Sequence, residues 1–94
     1  MTFRLRADFN GLFGDLLCLS HSGTAIDDTG GTVKLSDGMD VLAFDDDVED
    51  GEKVFLVARG RVVPSPASLQ HRGSLWSLQI DQNGVRHVPT LDDA

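Results

Sequence analysis

The sequence contains no tyrosine, one tryptophan (Trp76), one cysteine (Cys18) and three prolines in 94 residues. A single cysteine cannot close an internal disulfide, which excludes a disulfide-stapled scaffold and makes a reducing, cytoplasmic compartment the expected setting. Long apolar runs are also missing. The longest, residues 54–58, has five residues against the roughly 20 that cross a bilayer, so no membrane span is expected. Arg4 and Arg6 are not followed by the apolar stretch of a secretion signal. Basic residues are few: eight Lys and Arg against fifteen Asp and Glu give a net charge of -7. That balance disfavours nucleic acid and anionic membranes as partners.

The acidity is unevenly placed. Ten of the acids and only one base, Lys34, lie between Asp27 and Glu52, while the remainder of the chain is mildly basic. Such a split can steer a partner or orient self-association. What is present otherwise suits one small domain: 40% hydrophobic residues supply a modest core. A single domain over residues 1–90 is expected, followed by a frayed tail at 91–94.

The hydrophobic pattern is that of strands. Phe3, Leu5, Ala7 and Phe9 alternate with Thr2, Arg4, Arg6 and Asp8, the period-two signature of a half-buried strand. Leu16 to Leu19 form a second short strand. Residues 25–26 and 32–35 flank Asp28-Thr29-Gly30-Gly31 as a hairpin. Met39 to Phe44 read as a strand, and the acidic residues 45–52 as an exposed loop. The longest strand candidate is 53–63, with Gly60 as a place for a bulge. Ser65-Pro66 offers a cap for at most one helical turn to Gln70. Trp76, Leu78 and Ile80 then mark a strand, and Asp81-Gln82-Asn83-Gly84 turns into 85–88 as a C-terminal hairpin. No stretch keeps helical apolar spacing over ten residues. The expected fold is all-β: six or seven short strands in a small antiparallel, partly closed barrel of SH3-like or OB-like kind.

Few residues carry chemistry. Cys18 and His21, joined by His71 and His87, have the ligand types of a tetrahedral zinc site, or of a small metal-dependent enzyme. A regular strand, however, points residues i and i+3 to opposite faces, so Cys18 and His21 converge only if the chain turns after Leu19. Ser20 and Ser22 flank His21 without a nucleophile-elbow pattern. Residues 45–52 fail the EF-hand spacing, because Asp50 stands where its glycine belongs and Leu56 where its final glutamate belongs. No cofactor motif is present, and the GXXG-like residues 11–14 read as a turn.

The arginine pairs Arg4/Arg6 and Arg59/Arg61 each project from one face of a strand. If those strands are neighbours, they form a patch for a partner protein or, as an alternative, for single-stranded nucleic acid. Trp76 is either core or an interface anchor. The expectation taken from the sequence is a noncatalytic protein-interaction or self-association module without a cofactor. Its partner-binding candidates are Arg4, Arg6, Arg59, Arg61 and Trp76.

Overall fold

A computed structural model describes residues 2–94. Its strands are β1 (Phe3–Arg6), β2 (Leu12–Phe13), β3 (Leu16–Ser20), β4 (Thr24–Ile26), β5 (Thr32–Lys34), β6 (Asp40–Glu49), β7 (Glu52–Pro64), β8 (Trp76–Ile80) and β9 (Arg86–Val88). One helical turn, α1 (Ala67–Gln70), and two 3-10 turns, Phe9–Gly11 and Leu91–Asp93, complete it. The expected all-β character and single short helix are both present.

The spine is the β6–β7 hairpin, paired from Asp40↔Arg61 to Glu49↔Glu52. Its two-residue loop is Asp50-Gly51, with φ of 53° and 81°. Positive φ at both positions is the primed turn whose twist matches a hairpin, and Asp-Gly is among its preferred sequences. Residues 45–49 are therefore strand, where the acidity suggested a loop. Opposite them stand Leu56, Phe55, Val54, Lys53 and Glu52, and this largely apolar partner strand outweighs the poor strand preference of aspartate.

The other side of β7 is occupied by two strands laid end to end. β8 pairs with Gly60 to Pro64, and β9 pairs with Phe55 to Val57 in the same direction. The expected β8–β9 hairpin is thus not formed. Residues 81–84 leave the sheet and return to it, closed by Gly84 N–H donating to the Asp81 carbonyl at 3.1 Å. β7 is consequently central, flanked by β6 on one side and by β9 and β8 on the other. It also runs past Gly60 without a bulge. The glycine is required because an added Cβ would collide with the Gln79 carbonyl of β8.

The main sheet runs β1-β6-β7-β8-β3-β2, with β9 beside β7. β1 pairs with β6 in parallel, so the sheet is mixed instead of wholly antiparallel. The chain between them has ample length for such a crossover. Backbone pairing does not close the sheet. The separate β4–β5 hairpin, placed where the sequence indicated, touches β1 through one isolated bridge, Leu5↔Asp27.

Both faces of the sheet are covered, which accounts for the unbroken run Val41-Leu42-Ala43-Phe44 in β6. Val41 and Ala43 face the larger core with Leu5, Leu17, Ala58, Val62 and Leu78. Leu42 and Phe44 face a smaller one with Val57 and Val88. Residues 91–94, expected to fray, form the 3-10 turn at Leu91–Asp93, and Leu91 and Ala94 lie against this second core. Ser65 does not cap α1. Its hydroxyl instead meets those of Ser74 and Ser77 at 2.9 and 2.8 Å, a buried trio that ties the end of β7 to β8.

Candidate functional site

The site begins with an irregularity in β3. Leu17 and Cys18 pair in register with Leu78 and Ser77 of β8, but Ser20 then pairs with Trp76, so Leu19 is an extra residue. Such a bulge re-aims the side chains on either side of it. Leu17 and Leu19 both enter the large core. Ser20 is buried just beyond and shapes the following turn. Its hydroxyl donates to the Thr24 carbonyl at 2.6 Å and accepts from the N–H groups of Ser22 and Gly23. A hydroxyl committed in this way is a structural clamp and not a nucleophile.

This bulge and turn bring His21 back over Cys18. The Cys18 Sγ and His21 Nε2 lie 3.8 Å apart, and the other ring nitrogen, Nδ1, is 2.7 Å from the Gly73 carbonyl. A carbonyl only accepts, so Nδ1 carries a hydrogen, and in the neutral ring Nε2 turns its lone pair toward the thiol. Gly73 permits the approach twice over. Its φ is +91°, and a Cβ there would stand 3.2 Å from His21 Nδ1. The half-buried thiol opens on a cleft of about 440 Å³ lined by Arg6, Asp8, Gly11 and Asp45 as well as the pair itself.

The other zinc candidates are elsewhere. His87 lies on β9, with Nε2 2.9 Å from Asp47 Oδ2 and Nδ1 3.8 Å from Glu49 Oε2. The His87 hydrogen bond, helped by the Val48 N–H, holds the Asp47 carboxyl below the usual carboxylate range. His71 is exposed at the end of α1. Among the described residues no three His, Cys, Asp or Glu side chains come together as a metal set. The four-ligand zinc arrangement is therefore not assembled, although two of its members meet. The carboxylates of 45–49 do not converge on a cation either: Asp45 accepts from Phe9 N–H, Asp46 meets Arg6, and Asp47 meets His87.

The four arginines do share one face of the sheet, but β6 separates their two strands, and each side chain is engaged. Arg4 bridges Asp28 at 3.4 Å and Asp92 at 3.1 Å. Arg6 meets Asp46 at 3.0 Å and lies 4.9 Å from the centre of the Phe44 ring. Arg61 is 3.7 Å from Asp40, and Arg59 donates to the Ala94 carbonyl at 3.2 Å. Carboxylates thus lie against three of the four. Trp76 is half-buried, with part of its side chain against the larger core.

The sequence showed Cys18 and His21 but not what joins them. Leu19 carries no bulge signature, and Gly73 is 52 residues away from His21. Val48, at 63% of its full area the most open large apolar residue among the described residues, lies among acids that read as loop. Comparison with family models, with curated proteins and with solved structures finds no match.

Proposed function

We propose that the chain is a noncatalytic protein-binding module that presents the acidic end of the β6–β7 hairpin to a basic surface of another protein. The observation that carries this reading is the make-up of the arm. Glu49, Asp50, Gly51, Glu52 and Lys53 are exposed, and Val48 stands open among them. An apolar side chain between Asp47 and Glu49 in sequence, with Lys53 directly across the hairpin, combines a desolvating contact with charge close by for steering. Arg4, Arg6 and Arg61 on the body already meet acids, whereas Asp50 and Glu52 at the end of the arm meet no base among the described residues. In the same reading the curled sheet is a partly closed small barrel of SH3-like or OB-like kind in the cytoplasm, a stiff base for the arm. Self-association is the runner-up, since the arm is acidic and a second copy offers it no comparable basic surface.

Affinity capture from lysate of the source organism, with and without nuclease, tests the proposal when wild type is compared with a Val48→Ser, Glu52→Lys variant. Neither residue makes a side-chain hydrogen bond or ion pair among the described residues. The expected result is a stoichiometric protein that survives nuclease and is lost with the variant. Equal recovery by both proteins, or recovery that disappears with nuclease, overturns it.

A further inference from the structure

The Cys18–His21 pair plays no part in the binding proposed for the hairpin arm, yet it has a more specific arrangement than packing requires. A thiol held only as a small hydrophobe needs no basic nitrogen. Here the bulge at Leu19, the Ser20-clamped turn and the Gly73 carbonyl act together to set Nε2 in front of the sulfur. In the neutral ring the carbonyl fixes the hydrogen on Nδ1, so the lone pair that can accept the thiol hydrogen is on Nε2.

We propose that Cys18 is a thiol–disulfide exchange site for a low-molecular-weight disulfide, with His21 as its proton acceptor. In the exchange, His21 Nε2 takes the Cys18 proton and the thiolate attacks one sulfur of the incoming disulfide. The Cys18–sulfur bond forms as the incoming sulfur–sulfur bond breaks. The departing thiolate then takes the proton from His21 Nε2. One disulfide is consumed and one is made, so no further oxidant is needed. The sequence has no second cysteine to displace the adduct from within, and the mixed disulfide persists until an external thiol removes it.

The surroundings favour this chemistry over acyl transfer. An acyl intermediate needs N–H donors for its oxyanion, and the nearest loop amides are already engaged. Phe9 N–H donates to Asp45 Oδ2, Asn10 N–H to Asp8 Oδ1, and Gly11 N–H to the Asp8 carbonyl. Sulfur-to-sulfur exchange develops no oxyanion and requires only a thiolate, a proton acceptor and access. The cleft beside Cys18 supplies the access, and its remaining charged groups are Arg6 of β1, Asp8 and Asp45 of β6.

The test is the rate at which glutathione disulfide modifies the intact chain at pH 7, followed by mass. The folded wild type is compared with the same chain unfolded in urea and with a folded His21→Gln variant, which keeps hydrogen-bonding groups but has no basic nitrogen. Folded wild type is expected to react several-fold faster than the unfolded chain, because only the folded chain holds a proton acceptor beside the sulfur. His21→Gln should abolish that advantage. A folded wild type that reacts no faster than its unfolded form overturns the proposal without reference to any variant. So does a folded His21→Gln protein that reacts as fast as wild type.

Discussion

Single residues in this fold are fixed by close approaches more than by their own chemistry. Gly60 is the sharpest case, because the β8 backbone occupies the place of its missing Cβ through the Gln79 carbonyl. Backbone cannot rotate away as a flexible side chain can. Gly60→Ala is therefore expected to destabilise the domain by about 3 kcal/mol, the upper end for overpacking, read as a lower urea midpoint. A change below about 0.5 kcal/mol, as for an ordinary surface position, would mean that β7 and β8 separate freely there. Phe44 shows the converse. It is 1% exposed, lies edge-on to Phe55 with ring centres 6.3 Å apart, and fills the smaller core. Phe44→Ala should cost roughly 3–5 kcal/mol and loosen Leu91 and Ala94 along with it. Protection of the 91–94 amides from hydrogen exchange is the accompanying readout.

At the scale of elements, the β6–β7 hairpin depends on its turn. Gly51 holds φ at 81°, and a β-branched residue there is strained by roughly 1–3 kcal/mol. Gly51→Val should therefore lower the thermal midpoint by several degrees while leaving the Cys18 cleft unchanged. Loss of the fast Cys18 reaction in that variant would show that the arm and the cleft are coupled. This element also marks the limit of what the sequence reveals. Alternation located β1, and the two glycines at 30–31 located the β4–β5 hairpin, because in both the side-chain period and the turn chemistry are local. Residues 45–49 give no such signal, since aspartates on a strand look like aspartates in a loop. Asp50-Gly51 was the legible clue to their pairing. The parallel β1–β6 contact, the placement of β9 beside β7 and the bulge at Leu19 all depend on partners distant in sequence. The candidate site was half visible for the same reason: Cys18 and His21 are three residues apart, but Gly73 reaches them only through the β3–β8 pairing.

For the whole molecule, charge is the property that couples the parts. The Thr29 hydroxyl, followed by the Gly31 and Thr29 N–H groups, holds the Asp27 carboxyl below its usual range, and His87 does the same for Asp47. A carboxyl lowered in the folded state stabilises that state while it is ionised. Its contribution is complete above the unfolded value of about 3.9 and is lost as pH falls through the lower folded value. The urea midpoint is thus expected to stay level from neutral pH down to about pH 5 with respect to these two groups, and to fall steeply below about pH 4. Asp27→Asn removes one of them, so its midpoint should start lower at neutral pH and fall less on acidification. The arginine pairs respond to a different variable. Arg6–Asp46 and Arg61–Asp40 are exposed and spaced at 3.0 and 3.7 Å, so salt screens them and each contributes about 0–1 kcal/mol. Asp27 is held by short contacts within its own turn, at 2.8 to 2.9 Å, that added salt reaches poorly. The acid-induced drop should accordingly persist in 1 M NaCl. Its disappearance at high salt would assign acid sensitivity to long-range repulsion among the 15 acidic and eight basic groups instead of to these two carboxyls.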